Sequence, residues 1–148
     1  MSPELDQLLN RLEPASEQNL QQRLRFGLAC CERVAHLLEQ PDVLACLNDF
    51  RRFVGQTERS PAMDDIAHRA SVLANRHQGS KSLDGVGHAA VSATYACAMA
   101  MNGKARQAAE YAAYAMVYGQ GGYGATTDSQ AYDPEFAWQA AQLRGLLA

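Results

Sequence analysis

The sequence has few of the features that assign a protein to a functional class directly. Only 7% of its 148 residues are aromatic, and no stretch alternates β-branched and polar residues as a strand would. The chain contains neither the G-x-S-x-G motif of serine hydrolases nor the H-E-x-x-H motif of zinc proteases. Its 13 Lys and Arg are outnumbered by 16 Asp and Glu, so a nucleic-acid partner is not expected.

The cysteine and apolar patterns argue against disulfides, secretion and membrane insertion. No two of the four cysteines have C-x-x-C spacing; they are Cys30, Cys31, Cys46 and Cys97. Segment 1–14 is acidic and short of apolar residues, unlike a secretory signal. The longest uncharged run, 85–103, is dominated by small residues and predicts a buried helix rather than a bilayer span. We therefore expect a cytoplasmic protein with no membrane contact and with buried, unreactive cysteines.

Alanine is the residue that the chain has in excess, at 26 of 148 positions. Because alanine is the strongest helix former, this composition predicts an all-α protein. The length predicts one domain over 1–148, a bundle of six to seven helices. Three serines stand at predicted helix N-caps, namely Ser2, Ser16 and Ser60. The helix after Ser16 is predicted to reach about Gln40, where Pro41 breaks it.

A hairpin of two small-residue helices is predicted to form the centre of the bundle. Asp84 is the predicted N-cap of its first helix, Asn102–Gly103 the turn, and Tyr118 the end of its second helix. Segment 119–132 is rich in glycine and lacks large aliphatic side chains, so it is predicted to be a long flexible loop. The last helix is predicted to begin at Asp133, which Pro134 follows.

The glycines of the predicted loop match a nucleotide-binding motif by letters alone. Gly119, Gly121 and Gly124 have the G-x-G-x-x-G spacing. The dinucleotide fingerprint requires a strand before the motif and a helix at its end, whereas here a predicted helix comes first. We therefore expect neither a nucleotide nor any other cofactor.

Histidines and carboxylates give an alternative in which the chain binds a metal or acts as a small helical enzyme. Asp65 and His68 are three residues apart on one predicted helix, and His88 lies on another. A metal site would need all three side chains to converge, because zinc takes three or four protein ligands. Their spacing alone does not bring them together.

The most distinctive feature is a tyrosine cluster in the last third of the chain. Five of the six tyrosines lie between positions 111 and 132, and segment 107–143 contains no Lys or Arg. Tyrosine is enriched in interface hot spots, and acidic charge favours a basic partner. The predicted partner-binding residues are Tyr118, Tyr123, Asp128, Tyr132, Asp133 and Glu135. The simpler alternative is that the tyrosines on the helix only pack against the core.

Several segments resemble a family of small helical immunity proteins that accompany bacterial secreted toxins. The helix 23–38, with its Ala-Cys-Cys-Glu-Arg-Val-Ala-His-Leu-Leu run, and the following segment 44–53 are similar to the opening helices of that family. Gly87-His88-Ala89 and the segment 108–112 look like its later alanine-rich helices. The resemblance covers roughly residues 20–118.

The resemblance implies a non-enzymatic protein that binds and occludes one cognate toxin. This is the function that the sequence favours, with the tyrosine-rich segment as the binding surface. Two alternatives stay open: the metal-binding or enzymatic protein using Asp65, His68 and His88, and a homo-oligomeric structural module. A homodimer would be compatible with the immunity function as well as with the structural module.

Overall fold

The computed structural model describes residues 1–55, 59–77 and 86–148. Over these residues the chain is all-α and contains no strand, as predicted. The seven helices are α1 (Pro3–Asn10), α2 (Glu17–Val34), α3 (Pro41–Phe53), α4 (Pro61–Arg76), α5 (Val86–Met101), α6 (Ala105–Ala125) and α7 (Asp133–Leu147). Two short 3₁₀ helices, Ala35–Leu37 and Ser129–Tyr132, follow α2 and precede α7.

The three predicted serine caps are confirmed. Each serine hydroxyl accepts a hydrogen bond from the backbone N–H three residues later, at 3.3 Å for Ser2, 3.0 Å for Ser16 and 3.2 Å for Ser60. These bonds satisfy donors that the first helical turn leaves without an intrahelical partner. The predicted cap at Asp84 lies outside the described residues.

The helix after Ser16 is shorter than predicted. α2 ends at Val34, and the chain tightens into the 3₁₀ turn before Leu38 becomes extended. The helix therefore ends well before Pro41, which instead occupies the first position of α3. The apolar spacing continued past Val34 because Leu37 and Leu38 still pack on the core, although the backbone is no longer α-helical there.

Helices α5 and α6 form the predicted hairpin and make the most extensive helix contact of the described residues. The turn is at Asn102–Gly103, where Gly103 has a φ of 73°, a conformation that favours glycine. α5 also packs on α2, α3 and α4, so it lies at the centre of the bundle. Core side chains come from all seven helices and include Leu5, Leu24, Phe50, Ile66, Ala93, Ala108 and Leu143.

The crossing of α2 over α5 depends on Gly27. A β-carbon at Gly27 would lie 2.8 Å from Ala100 Cβ and 3.1 Å from Ala100 Cα. Carbon atoms in contact prefer separations of about 3.5–4.0 Å, so any side chain here would push the helices apart. Glycine is thus required at this position by a close approach of two helices.

The prediction of a long loop over 119–132 is wrong. α6 continues past Tyr118 to Ala125, with a break at Gly122, whose φ is 68° and ψ is −161°. Gly119 brings the helix against Leu37, since a β-carbon there would lie 3.3 Å from Leu37 Cδ2. Glycine content predicted a loop, but here it lets a helix end lie close to its neighbour and change direction.

Candidate functional site: a tyrosine face on the hairpin

One side of the α5–α6 hairpin carries six aromatic rings in two contacting groups, which together we call the tyrosine face. Its members are His88, Tyr95, Tyr111, Tyr114, Tyr118 and Tyr123. On α6, positions 111, 114 and 118 are three and four residues apart and therefore share one side of the helix. The alanines of α6 between positions 105 and 115 are buried in the core.

The rings of the tyrosine face contact one another across the hairpin. Tyr95 stacks on Tyr111 with centroids 5.2 Å apart, and His88 stacks on Tyr118 at the same separation. Tyr114 and Tyr123 meet Tyr118 edge to face, at 5.1 Å and 5.4 Å. These are the offset-stacked and T-shaped arrangements that aromatic pairs prefer, so the rings hold one another in place.

Exposure divides these tyrosines into anchors for the fold and residues open to solvent. Tyr118 is only 2% exposed, whereas Tyr111 and Tyr114 are each 37% exposed and Tyr123 is 69% exposed. Burial, followed by the nearby Tyr114 and Tyr123, raises the pKa of Tyr118 to about 12. Tyr118, predicted as a partner-binding residue, is therefore the buried support beneath the exposed rings.

Glu135, another predicted partner-binding residue, is also buried. Its carboxylate accepts two hydrogen bonds from Arg33, with Nη2–Oε1 at 3.0 Å and Nε–Oε2 at 3.2 Å. The Arg33 guanidinium lies 4.8 Å from the ring centroid of Trp138, and Glu135 raises the pKa of Arg33 further. This bidentate pair joins α2 to α7 and removes Glu135 from the predicted surface.

Of the four remaining predicted binding residues, Tyr123 is exposed on α6, and the other three lie between the end of α6 and the first residue of α7. Asp128 and Asp133 are exposed, and the Asp128 carboxylate accepts a hydrogen bond from Gln130 N at 3.0 Å. Tyr132 is half-buried, stacks on Phe136 at 6.0 Å, and donates its hydroxyl hydrogen bond to Thr126 O at 2.9 Å. Burial, followed by the nearby Tyr114, raises the pKa of Tyr132.

Exposed carboxylates lie on α6 and in the segment that follows it. Glu110, Asp128 and Asp133 are exposed, and none of the three takes part in an ion pair within the described part of the chain. Segment 107–143 contains no Lys or Arg. The basic residues at the ends of α6 and α7, Arg106 and Arg144, form ion pairs with Asp6 and Glu4 of α1 instead. A positively charged surface would meet complementary charge here.

The residues of the metal-binding alternative are not brought together. Within 1–55, 59–77 and 86–148, no group of three His, Cys, Asp or Glu side chains is arranged to hold an ion. His88 stacks on Tyr118, whereas His68 lines a separate groove of about 600 Å³ between α3 and α4. Asp65 instead accepts a hydrogen bond from Arg69 at 3.1 Å.

The predicted burial of the cysteines is confirmed. All four are free and buried, and burial raises the pKa of the Cys30, Cys31 and Cys46 thiols. A raised pKa reduces the thiolate fraction that a nucleophile needs. These cysteines therefore behave as small core residues.

Sequence reasoning missed the contribution of Tyr111, Tyr114 and Tyr95 to this surface. The sequence did contain a signal for the α6 tyrosines, because their spacing of three and four residues places them on one side of the helix. The stacking of Tyr95 on Tyr111 depends on the register of the two helices, which the sequence does not show.

No helix within the described parts of the chain is both long and apolar enough to cross a membrane. The chain matches no family model, no curated protein and no solved structure.

Proposed function

We propose that this chain is a non-enzymatic binding protein of the cytoplasm, an immunity protein that occludes a cognate bacterial toxin through its tyrosine face. The observation that carries the proposal is a set of exposed tyrosines on an alanine-packed hairpin. Tyr114 and Tyr123 contact a buried tyrosine ring, and Tyr111 stacks on Tyr95. Exposed aromatic residues in a polar surround are typical of protein–protein interfaces. The sequence resemblance to immunity proteins supplies the class of partner.

Rigidity of the surface supports a role in tight binding. Tyrosine has few rotatable bonds, and each of these rings is already in contact with a neighbour, so little freedom is lost when a partner docks. Occlusion of a toxin requires nanomolar affinity, about −12 kcal/mol, of which a few aromatic anchors supply a large share.

Charge supports a basic surface on the toxin. Glu110 lines a pocket with two of the exposed rings, and Asp128 and Asp133 are exposed in the segment that follows α6. None of the three has an ion-pair partner among the described residues. Acidic groups at the edge of an interface accelerate association with a basic partner and weaken as salt is added. Replacing all three with Lys is expected to slow association at low ionic strength by at least about tenfold.

Co-expression with the product of the adjacent gene tests the function. The neighbour is expected to be toxic alone, to be tolerated when this chain is present, and to copurify with it. A toxic neighbour that kills equally with and without this chain would overturn the proposal, as would the lack of any toxic neighbour.

A matched pair of variants tests the surface. Tyr123→Ala removes an exposed ring from the tyrosine face, and Leu44→Ala removes a 40% exposed side chain from α3. We expect Tyr123→Ala to weaken toxin binding about 30-fold, as loss of a hot spot does, while Leu44→Ala leaves the affinity unchanged. Equal affinities for both variants would place the interface elsewhere.

A second copy of this chain is the alternative occupant of the same surface. Exposed tyrosines favour self-association as well as binding to another protein. Light scattering of the purified chain distinguishes the two, because a homo-oligomer formed through this face dissociates on Tyr123→Ala and a complex with a toxin forms only when the toxin is added.

A further inference from the structure

A small pocket opens within the tyrosine face, between the outer sides of α5 and α6. Its volume is about 370 Å³, and it is lined by Ser92, Gln107, Glu110, Tyr111 and Tyr114. Two half-exposed phenol rings, one carboxylate, one amide and one hydroxyl therefore converge on one space. We call this pocket the Glu110 slot.

The aromatic walls of the slot are fixed from behind. Tyr111 stacks on Tyr95 at 5.2 Å with an angle of 20° between the ring planes, and Tyr114 meets Tyr118 edge to face at 5.1 Å. Tyr95 is itself held by a hydrogen bond from its hydroxyl to Asn75 Oδ1 at 2.9 Å. The walls are thus in place before any ligand enters.

The charge of the slot is negative and uncompensated. Arg106 precedes Glu110 by one helical turn, yet its guanidinium donates hydrogen bonds to Asn10 Oδ1 at 2.7 Å and to the Asp6 carboxylate on α1. Glu110 takes part in no ion pair among the described residues, and no basic side chain lines the slot. The site combines an unpaired carboxylate with the negative faces of tyrosine rings.

We infer that the Glu110 slot receives an arginine side chain from the partner protein. A guanidinium is planar, stacks on aromatic faces, and forms two parallel hydrogen bonds with a carboxylate. The slot offers the groups that match these properties, with Gln107 and Ser92 as further hydrogen-bond acceptors. This inference rests on the proposed function for the source of the arginine, although the chemistry of the slot can be measured without the toxin.

Arginine fits this arrangement better than lysine or an anion. The lysine ammonium is compact and strongly hydrated and lacks a flat face to lie between Tyr111 and Tyr114. An anionic ligand would face the Glu110 carboxylate directly, with no cation in the slot to offset it. The structure therefore favours a planar cation.

Three acetylated and amidated tripeptides provide the probe: Gly-Arg-Gly, its lysine counterpart, and its citrulline counterpart, which keeps the shape of arginine without the charge. Titration is followed by NMR of the intact, isotopically labelled chain. We expect the arginine peptide to shift the backbone signals of Ser92 and of segment 107–114 with a millimolar dissociation constant. The lysine and citrulline peptides are expected to bind at least about tenfold more weakly.

Variants of the slot separate the contribution of the Glu110 carboxylate from that of the aromatic rings. Glu110→Gln, at an exposed position, is expected to weaken the arginine peptide about tenfold, and Glu39→Gln, an exposed control outside the hairpin, is expected to have no effect. Tyr114→Phe keeps the aromatic face and is expected to retain binding, whereas Tyr114→Leu loses it. The dispersion of each NMR spectrum shows whether the variant is folded.

The outcomes distinguish this inference from the proposed function. Arginine and citrulline peptides that bind equally, or an arginine peptide that shifts no signal of the slot at millimolar concentration, would overturn the arginine slot. Toxin binding that survives Glu110→Gln but is lost with Tyr123→Ala would leave the proposed function standing and overturn the slot. Selective arginine binding without a toxic neighbour would overturn the proposed function alone.

Discussion

The two sides of the α5–α6 hairpin are built from opposite kinds of side chain. The inner side is rich in alanine, and at Ala100 it lies so close to α2 that α2 must present Gly27. The outer side carries tyrosines, of which Tyr111, Tyr114 and Tyr123 stay partly or largely exposed. The inner side fixes where the helices lie, and the outer side is free to differ without disturbing them.

The two sides of the hairpin are expected to affect different properties, namely the stability of the fold and the binding of a partner. Substitutions on the inner side are expected to change the free energy of unfolding, because close-packed interiors tolerate little change in volume. Substitutions on the outer side are expected to change binding, because exposed side chains contribute little to folding. The largest losses of stability are therefore expected at buried positions and the smallest at the exposed tyrosines.

Gly27→Leu is expected to have the largest effect on stability. Because even a β-carbon at Gly27 would lie 2.8 Å from Ala100 Cβ, a leucine must separate α2 from α5, at a cost of about 3 kcal/mol. Gly145→Leu is the matched control, since Gly145 in α7 has open space around it and leucine is the better helix former. Urea denaturation measures both. A Gly27→Leu variant as stable as the control would show that the crossing is not tightly packed.

Breaking the ion pair between α2 and α7 is expected to have the next largest effect. Glu135→Ala leaves Arg33 without its bidentate partner and should reduce the free energy of unfolding by about 2 kcal/mol, less than for a fully buried pair because Arg33 is 35% exposed. Glu32→Ala breaks a pair with Arg51 that is exposed on both sides and should cost about 0.5 kcal/mol or less. Similar losses for the two variants in thermal unfolding would contradict this difference.

Tyr118 predicts an alkaline loss of stability. Its pKa is raised from 10.0 to about 12 in the folded chain, so the folded state favours the neutral phenol. The associated stabilisation is complete below pH 10 and is lost as the pH rises from about 10 to about 12. Tyr118→Phe should therefore flatten the decline of the melting temperature over this interval. An unchanged decline would assign it to other groups, such as the Cys30 and Cys31 thiols, whose pKa values are also raised.

The smallest effect on folding is expected for Tyr123→Ala. This side chain is 69% exposed, so its removal should change the free energy of unfolding by about 0.5 kcal/mol or less. The same variant is expected to weaken toxin binding strongly. Tyr123 would then contribute to binding but little to folding. A large loss of stability would instead mean that its contacts with Tyr118 and His88 support the hairpin.

Local signals in the sequence predicted much of the fold. Ser16 was identifiable as an N-cap and Gly103 as a turn residue, because their roles depend on a few neighbouring backbone groups. The continuation of α6 beyond Tyr118 was not predictable, since it depends on the close approach of Gly119 to Leu37 from a distant part of the chain. Tertiary contact here overrides the usual preference of glycine for loops.

The sequence predicted which residue types the candidate site contains better than which individual residues are exposed in it. The tyrosine-rich segment is distinctive in the sequence, but the sequence does not reveal that Tyr118 faces inward or that Glu135 pairs with Arg33, 102 positions away. The sequence also does not reveal that Arg106 donates its hydrogen bonds to α1 and so leaves Glu110 without an ion-pair partner among the described residues. Each of these facts depends on which helices become neighbours.

The alanine packing behind the tyrosine face sets how the protein can respond to a partner. Because the interior is close-packed, α5 and α6 cannot slide or tilt to follow an approaching surface without breaking contacts throughout the core. Adjustment is left to the partner and to small rotations of the exposed phenols. We therefore expect the tyrosine face to present a fixed surface to a partner, so that natural variation in specificity appears as exchanges of single outward side chains rather than as changes in the helical frame.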